Sequence, residues 1–224
     1  MMRTLLFCTS WSDSQQRWRE SYCRWLDYYT ADSGPIAYDH ILLIDDASPI
    51  LPEDSRVQVI HEGVWPGALP KIALYRFVQR LGRSAKFVYP GWWRSYFCSL
   101  DFAQRYSFQK IVHVEYDAFV FSRRLADHIN ALSADWTSLW CPHYICPETC
   151  IQVICEDQYH EVAAVRAGSL GELAGLAAEL VLPFSNIETQ WVGDRYGNYR
   201  DDIPAGVDYA CQVRADMKLP GLKQ

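Results

Sequence analysis

Apolar residues are spaced along this chain in two alternating rhythms. Short unbroken runs recur at Thr4 to Thr9, at His40-Ile41-Leu42-Leu43-Ile44 and at Lys110-Ile111-Val112-His113-Val114. Runs of that length, rich in branched residues, predict strands covered on both faces. Between them, apolar residues fall three or four apart. From a cap at Asp13 or Ser14, the first such stretch carries Trp18, Tyr22, Trp25, Leu26 and Tyr29 on one helical face, and Gly34-Pro35 ends it. A second stretch predicts a helix from Gly91 to Tyr106 through Trp93, Phe97 and Leu100. Val57 to His61 reads as a further strand, and Lys71 to Leu81 as a helix. Val120-Phe121, Thr137 to Trp140 and Thr149 to Cys155 read as later strands, Val162 to Ala164 as a weaker one, and Leu170 to Leu180 as a helix. Pro183 to about Cys211 is aromatic and loop-rich.

Strands alternating with helices predict an α/β chain whose central sheet is mixed and mostly parallel, joined by right-handed crossovers. No repeat and no Gly/Ser-rich linker divides residues 1–224, so a single domain is expected. Ligands of such sheets bind beyond the carboxyl ends of the strands. Thr9-Ser10, Asp45-Asp46 and Glu115-Tyr116-Asp117 each follow directly on an apolar strand, which predicts that they share one edge.

Composition narrows the function more than the fold. Half of the 224 residues are hydrophobic and 14% are aromatic, which excludes disorder and supports one sizeable core. A net charge of −6 makes the chain a poor non-specific binder of nucleic acid or anionic membrane. No apolar run approaches the roughly 20 residues that cross a bilayer. The apolar start ends at polar Thr9 to Gln16 with no small-residue cleavage site. Eight cysteines are too dilute for a disulfide scaffold, and Cys8, Cys23 and Cys98 lie in apolar runs that suit reduced, packed thiols. A cytoplasmic location is the expectation.

Glu115 and Asp117 stand two apart at a strand end, where both side chains can project to one side. Two carboxylates held together repel, and a hard cation such as Mg2+ or Mn2+ would relieve that cost. Asp45-Asp46-Ala47-Ser48 suits either hydrogen bonds to a ribose or a base, or local turn chemistry.

Taken in order, several segments resemble glycosyltransferases of the GT-A type. They are Phe7-Cys8-Thr9-Ser10, Leu43-Ile44-Asp45-Asp46-Ala47-Ser48, Gly91-Trp92-Trp93-Arg94-Ser95, and Ile111 to Val120 with its Glu115-Tyr116-Asp117. The last resembles the family's Asp-x-Asp signature, with Glu115 in place of the first Asp. The resemblance covers about residues 3 to 125. It implies a GT-A-like fold in which about 1–125 bind a nucleotide-diphospho-sugar (UDP favoured) and about 126–224 bind a saccharide or lipid-linked acceptor. Thr9, Ser10, Asp45, Asp46, Arg94, Glu115, Tyr116 and Asp117 would contact the donor. Asp117, with Glu115 beside it, would hold Mn2+ or Mg2+ across the two phosphates. It also implies surface polysaccharide or glycolipid synthesis, with possible peripheral contact to the inner face of a membrane.

An inverting transfer needs a base in the second half of the chain. Glu188 is the first candidate, in Ser185-Asn186-Ile187-Glu188, where it equally suits a helix capping box. Glu148 and Asp194 are the alternatives. Relatives supply a second metal ligand near the C-terminus, and with no histidine after His160 the candidates are Asp201, Asp202 and Asp208. Trp136, Trp140, Tyr144 and Trp191 could form an aromatic wall for the acceptor. Cys141, His143, Cys146, Cys150 and Cys155 could supply tetrahedral zinc, but they lack a C-x2-C knuckle. Cys150 and Cys155, five apart on one strand, should face opposite sides. No phosphate-binding P-loop, dinucleotide fingerprint or Gly-x-Ser-x-Gly elbow occurs. The competing functions are a nucleotidyltransferase, which should carry a Gly-rich, basic loop after the first strand, and a non-catalytic carbohydrate- or partner-binding module.

Overall fold

The computed structural model describes residues 2–85, 88–168 and 177–221. Its strands are β1 (Thr4–Ser10), β2 (His40–Asp45), β3 (Gln58–His61), β4 (Ile72–Arg76), β5 (Lys110–Val114), β6 (Phe119–Val120), β7 (Trp136–Cys141), β8 (Cys146–Cys155), β9 (Asn186–Glu188), β10 (Gly193–Asp194) and β11 (Tyr209–Ala210). Eight of them form one sheet in the order β3-β4-β2-β1-β5-β8-β7-β9. Only β8 runs antiparallel to its neighbours. The remaining three make a small sheet, β10-β11-β6. The large sheet draws strands from both halves of the chain.

The unbroken apolar runs are explained by what covers each face. Leu6 and Cys8 of β1, Ile41 and Leu43 of β2, and Val112 and Val114 of β5 pack with Trp18, Tyr22, Trp25, Leu26 and Tyr29. Those aromatics lie on α1 (Gln15–Trp18), a π-helical turn (Arg19–Cys23) and α2 (Arg24–Thr30), opened by the Ser14 hydroxyl accepting from the Arg17 N–H. Leu5, Phe7, Leu42, Ile44 and Ile111 point the other way, onto Trp93, Tyr96, Phe97 and Leu100 of α3 (Pro90–Arg105). Pro90 occupies the first turn of α3, where its missing N–H costs nothing. Each fully buried side chain of this size contributes about 1.5–3 kcal/mol, so the two-sided burial sets the strands' positions.

Lys71 to Leu81, predicted helical, is instead organised around β4. Ile72, Ala73, Leu74 and Tyr75 are all buried, alternately on the two faces, between β2 and β3. Four contiguous buried residues have no polar face to give a surface helix. Val162 to Ala164 is the reverse case, lying within α5 (Tyr159–Ala167). Tyr159 and Val162, three apart, join the same core cluster as the α3 aromatics while the intervening residues are polar. α4 (Arg123–Ala131) is capped by the Ser122 hydroxyl. Most of the helix expected from Leu170 to Leu180 lies outside the described residues, and α6 (Ala178–Val181) is the part that is seen.

The chain runs from β1 outward to β2, β3 and β4, then returns to β5 on the other side of β1. The strand order therefore reverses between β1 and β5, which opens a crevice at their carboxyl ends. Among the described residues no helix is long and apolar enough to cross a membrane.

Candidate functional site

At that reversal lies a cavity of about 750 Å3. Thr9 at the end of β1 and Glu115, Tyr116 and Asp117 just beyond β5 form one wall. Tyr89, Trp92 and Trp93 at the start of α3 form a second, and Tyr144, Cys146, Thr149, Cys150, Glu179 and Arg195 a third. Arg17 and Arg83 line it as well.

Glu115 is held by a chain of donors that begins in the core. Gln152 accepts from the Tyr96 hydroxyl (2.7 Å) and the Trp136 indole (3.0 Å), which turns its amide NH2 toward His113 Nδ1 (3.4 Å). With Nδ1 accepting, Nε2 carries the proton and donates to Glu115 Oε1 at 3.0 Å. Trp92 Nε1 donates to the same oxygen. The Thr9 hydroxyl lies 2.8 Å from Oε2 and 3.0 Å from Oε1. Oε1 is crowded with donors, whereas among the described residues Oε2 meets only Thr9.

Asp117 is different in kind. No side-chain hydrogen bond to its carboxylate occurs among the described residues; its backbone carbonyl accepts from Val213 N at 2.9 Å. Burial, then the negative fields of Glu115 and Glu148, push its pKa up to about 7. Tyr116 between them is pushed up to about 12, chiefly by burial. A half-buried carboxylate without a side-chain partner among the described residues, beside a second one, has the chemistry of a hard-cation ligand, with oxygens of a substrate and waters completing the shell.

Arg195, absent from the sequence-based candidates, is the main cation of the third wall. Its guanidinium makes bonds of 2.8 and 3.1 Å to the two oxygens of Glu148 and a further contact to Glu179. Burial disfavours its charge, but these carboxylates outweigh the penalty and raise its pKa. Glu179 on α6 also accepts from the Thr149 hydroxyl at 3.3 Å. Neither residue sits in a motif; only the fold brings the Gly193-to-Asn198 loop and α6 against β8. Gly197 permits that loop, because a Cβ there would fall 1.6 Å from the Gln212 carbonyl oxygen.

Several predicted residues share the edge but not the cavity. Ser10 lies opposite Asp45 in register, as expected, yet it is buried and its hydroxyl has no partner among the described residues. Asp45 accepts from the backbone N–H (2.8 Å) and hydroxyl of Ser48, and burial raises its pKa. Asp46 accepts from Leu81 N (3.2 Å), Gly82 N (2.7 Å) and Arg94. It abuts Gly91, where a Cβ would come within 2.3 Å of its carboxylate. Arg94 is consumed by Asp46, the Gln79 carbonyl (2.6 Å) and the Phe77 ring. These groups fasten the loop after β4 to the start of α3.

The expected base and second metal ligand are also elsewhere. Glu188 closes β9, a strand paired with β7, and not a helix start. Buried there, it accepts from His128 Nε2 (2.7 Å), Asn186, Gln190 and the Trp191 indole. Glu148 is fully buried and locked by Arg195. Asp194 accepts from His143 N (3.0 Å), Arg195 N (2.7 Å) and the Cys141 thiol. None of the three lines the cavity. Asp208 is bound by Ser122, Arg124 and Val192 N, at the end of the small sheet away from Asp117. Asp201 and Asp202 pair with Arg214 and Arg200 on an exposed groove. Neither Asp202 nor Asp208 therefore joins Asp117.

Of the proposed aromatic wall, only Tyr144 faces the cavity; Trp136 and Trp191 are buried donors to Gln152 and Glu188. All eight cysteines are free thiols. Cys150 and Cys155, expected on opposite faces, join the same core cluster. A bulge is the reason: Ser138 pairs with Gln152 but Leu139 pairs with Glu148, so the pleat slips between them.

Comparison with protein-family models and with curated proteins finds no match to this chain.

Proposed function

We propose that this chain is a metal-dependent glycosyltransferase of the GT-A type, moving a sugar from a nucleotide-diphospho-sugar to an acceptor hydroxyl. The observation that carries the reading is Asp117: a half-buried carboxylate with no side-chain hydrogen bond among the described residues, beside Glu115, in a cavity at the reversal of strand order. About 750 Å3 falls within the range of sites that enclose a ligand of nucleotide size.

Asp117 would hold Mn2+ or Mg2+, with the two phosphates and waters supplying the other oxygens. Such a cation, when bound, neutralises the charge that develops on the departing diphosphate. Glu115 Oε2 keeps capacity to accept a hydroxyl of the donor, because its only partner among the described residues is Thr9. Tyr89, Trp92 and Tyr116 offer ring surfaces, and Arg17 and Arg83 offer positive charge to the phosphates. Glu179 is the second-half carboxylate that lines the cavity among the described residues, so it replaces Glu188 as the group that takes the acceptor proton.

A thermal-shift panel of UDP, GDP, CMP and dTDP, each with and without Mn2+, tests the reading. Stabilisation by one nucleoside diphosphate only when metal is present is the expected result. Indifference to every nucleotide would replace it with a binding module. Glu179→Gln should retain metal-dependent nucleotide binding and lose at least hundredfold in transfer rate; full transfer by that variant would remove Glu179 from the mechanism.

A further inference from the structure

We propose that Cys150, Cys211 and Glu148 form a site for a soft divalent cation of the Zn2+ class, with a ligand set distinct from the oxygen-ligand position at nearby Asp117. One ligand atom from each of the three, all buried, lies within 4.8 Å of the other two. Ligand atoms around a tetrahedral zinc are roughly 3.5–3.8 Å apart, so closure needs only about 1 Å of movement.

Three independent features build the trio. The bulge in β8 turns Cys150 onto the cavity side of the sheet, and bulges are a recurrent means of re-aiming a side chain. Cys211 is fixed just after β11 by its N–H bonding to the Asp194 carbonyl at 2.9 Å. Glu148 is oriented by Arg195 and by the Cys150 N–H at 2.9 Å, as outer-shell groups orient a ligating carboxylate. Gln212, held at a positive φ of 55°, donates to Cys150 Sγ at 3.5 Å.

The donor set selects the metal. Two sulfurs and one carboxylate oxygen favour Zn2+ over Mn2+ or Mg2+, and three protein ligands leave a fourth coordination position for a water or a further ligand. Charge balance also permits loading. Before binding, two neutral thiols sit beside a Glu148–Arg195 pair. On binding, each thiol releases its proton to solvent. Two thiolates, Glu148, Arg195 and the dication are again neutral together, so no net charge is buried. An occupied site would tie β8 to the segment after β11, two parts of the chain about sixty residues apart in sequence.

Co2+ titration of the reduced full-length protein reads the site through the thiolate-to-metal charge-transfer band, which Mn2+ at an oxygen site does not produce. One equivalent of Co2+ should give the band, and Zn2+ should displace it. Cys155→Ser, which removes a thiol outside the trio, should leave it intact. Cys211→Ser and Cys150→Ser should each weaken binding at least hundredfold. No band in the wild-type protein, or a band that survives Cys211→Ser, overturns the site. Should those variants fail to fold, X-ray absorption of the Zn2+-loaded wild type decides. Two sulfur neighbours near 2.3 Å support the site, and a shell of only oxygen and nitrogen overturns it. The outcome leaves Mn2+-dependent nucleotide binding as a separate question.

Discussion

Asp117 and Glu115 share a strand end yet carry opposite chemistry, because one meets Thr9, Trp92 and His113 while the other meets none of them. The tripeptide was visible in the sequence; the division of labour within it was not, since His113, Trp92 and Gln152 are supplied by packing. Asp117→Asn should abolish metal-dependent binding of the nucleoside diphosphate while leaving the far-ultraviolet circular dichroism unchanged; metal-dependent binding retained by this variant would overturn the metal assignment. The same residue gives a pH dependence of stability. Its folded pKa of about 7 lies above the unfolded value, so folding favours its protonated form. The stability it lends is full below about pH 4 and is lost as pH rises through about 7, with a ceiling of about 4 kcal/mol that water in the cavity reduces. In chelator, the wild-type Tm should fall between pH 5 and pH 8 more steeply than that of Asp117→Asn. Equal slopes would show that Asp117 ionises without penalty.

Elements were legible where one period dominated. β1, β2, β5, the first helical face and α3 follow from unbroken or i, i+3/i+4 patterns. β4 was hidden because its four apolar residues are too few to separate a buried strand from a helix turn, and only its seat between β2 and β3 decides. β9 was hidden more thoroughly: Ser185-Asn186-Ile187-Glu188 carries capping chemistry, but the Ser185 hydroxyl instead accepts from Trp136 N at 2.8 Å and starts an edge strand. Glu188 then serves that edge, joining α4 through His128 to β9 and the Trp191 turn. Glu188→Ala should leave the buried Trp191 indole and the half-buried His128 without their acceptor and destabilise the fold by about 1–3 kcal/mol, read by urea denaturation. Its nucleotide affinity should match wild type within a factor of three, and a large loss of affinity at unchanged stability would return Glu188 to the site.

For the molecule as a whole, the order of the strands locates the cavity more firmly than any single motif does. The return of the chain from β4 to β5 leaves β1 flanked on both sides by parallel partners, and their carboxyl ends diverge over a gap that no strand fills. The sequence made that edge visible, because three polar clusters each follow an apolar run. The opposite wall was not visible, because Tyr144, Glu179 and Arg195 reach the cavity through a hairpin, a short helix and a loop with no shared period. A ligand seated there must touch segments far apart in sequence and spare the sheet edge at β3. Hydrogen exchange in saturating UDP and Mn2+, or in whichever diphosphate the panel selects, should therefore slow amides in 9–12, 89–94, 115–118, 144–150 and 195–198 together. Amides of 58–62 on β3 and of the exposed groove at 216–220 should keep their rates. Protection confined to one of the three walls would mean that the ligand binds outside the crevice, and protection at β3 or the groove instead would place it on another face of the protein.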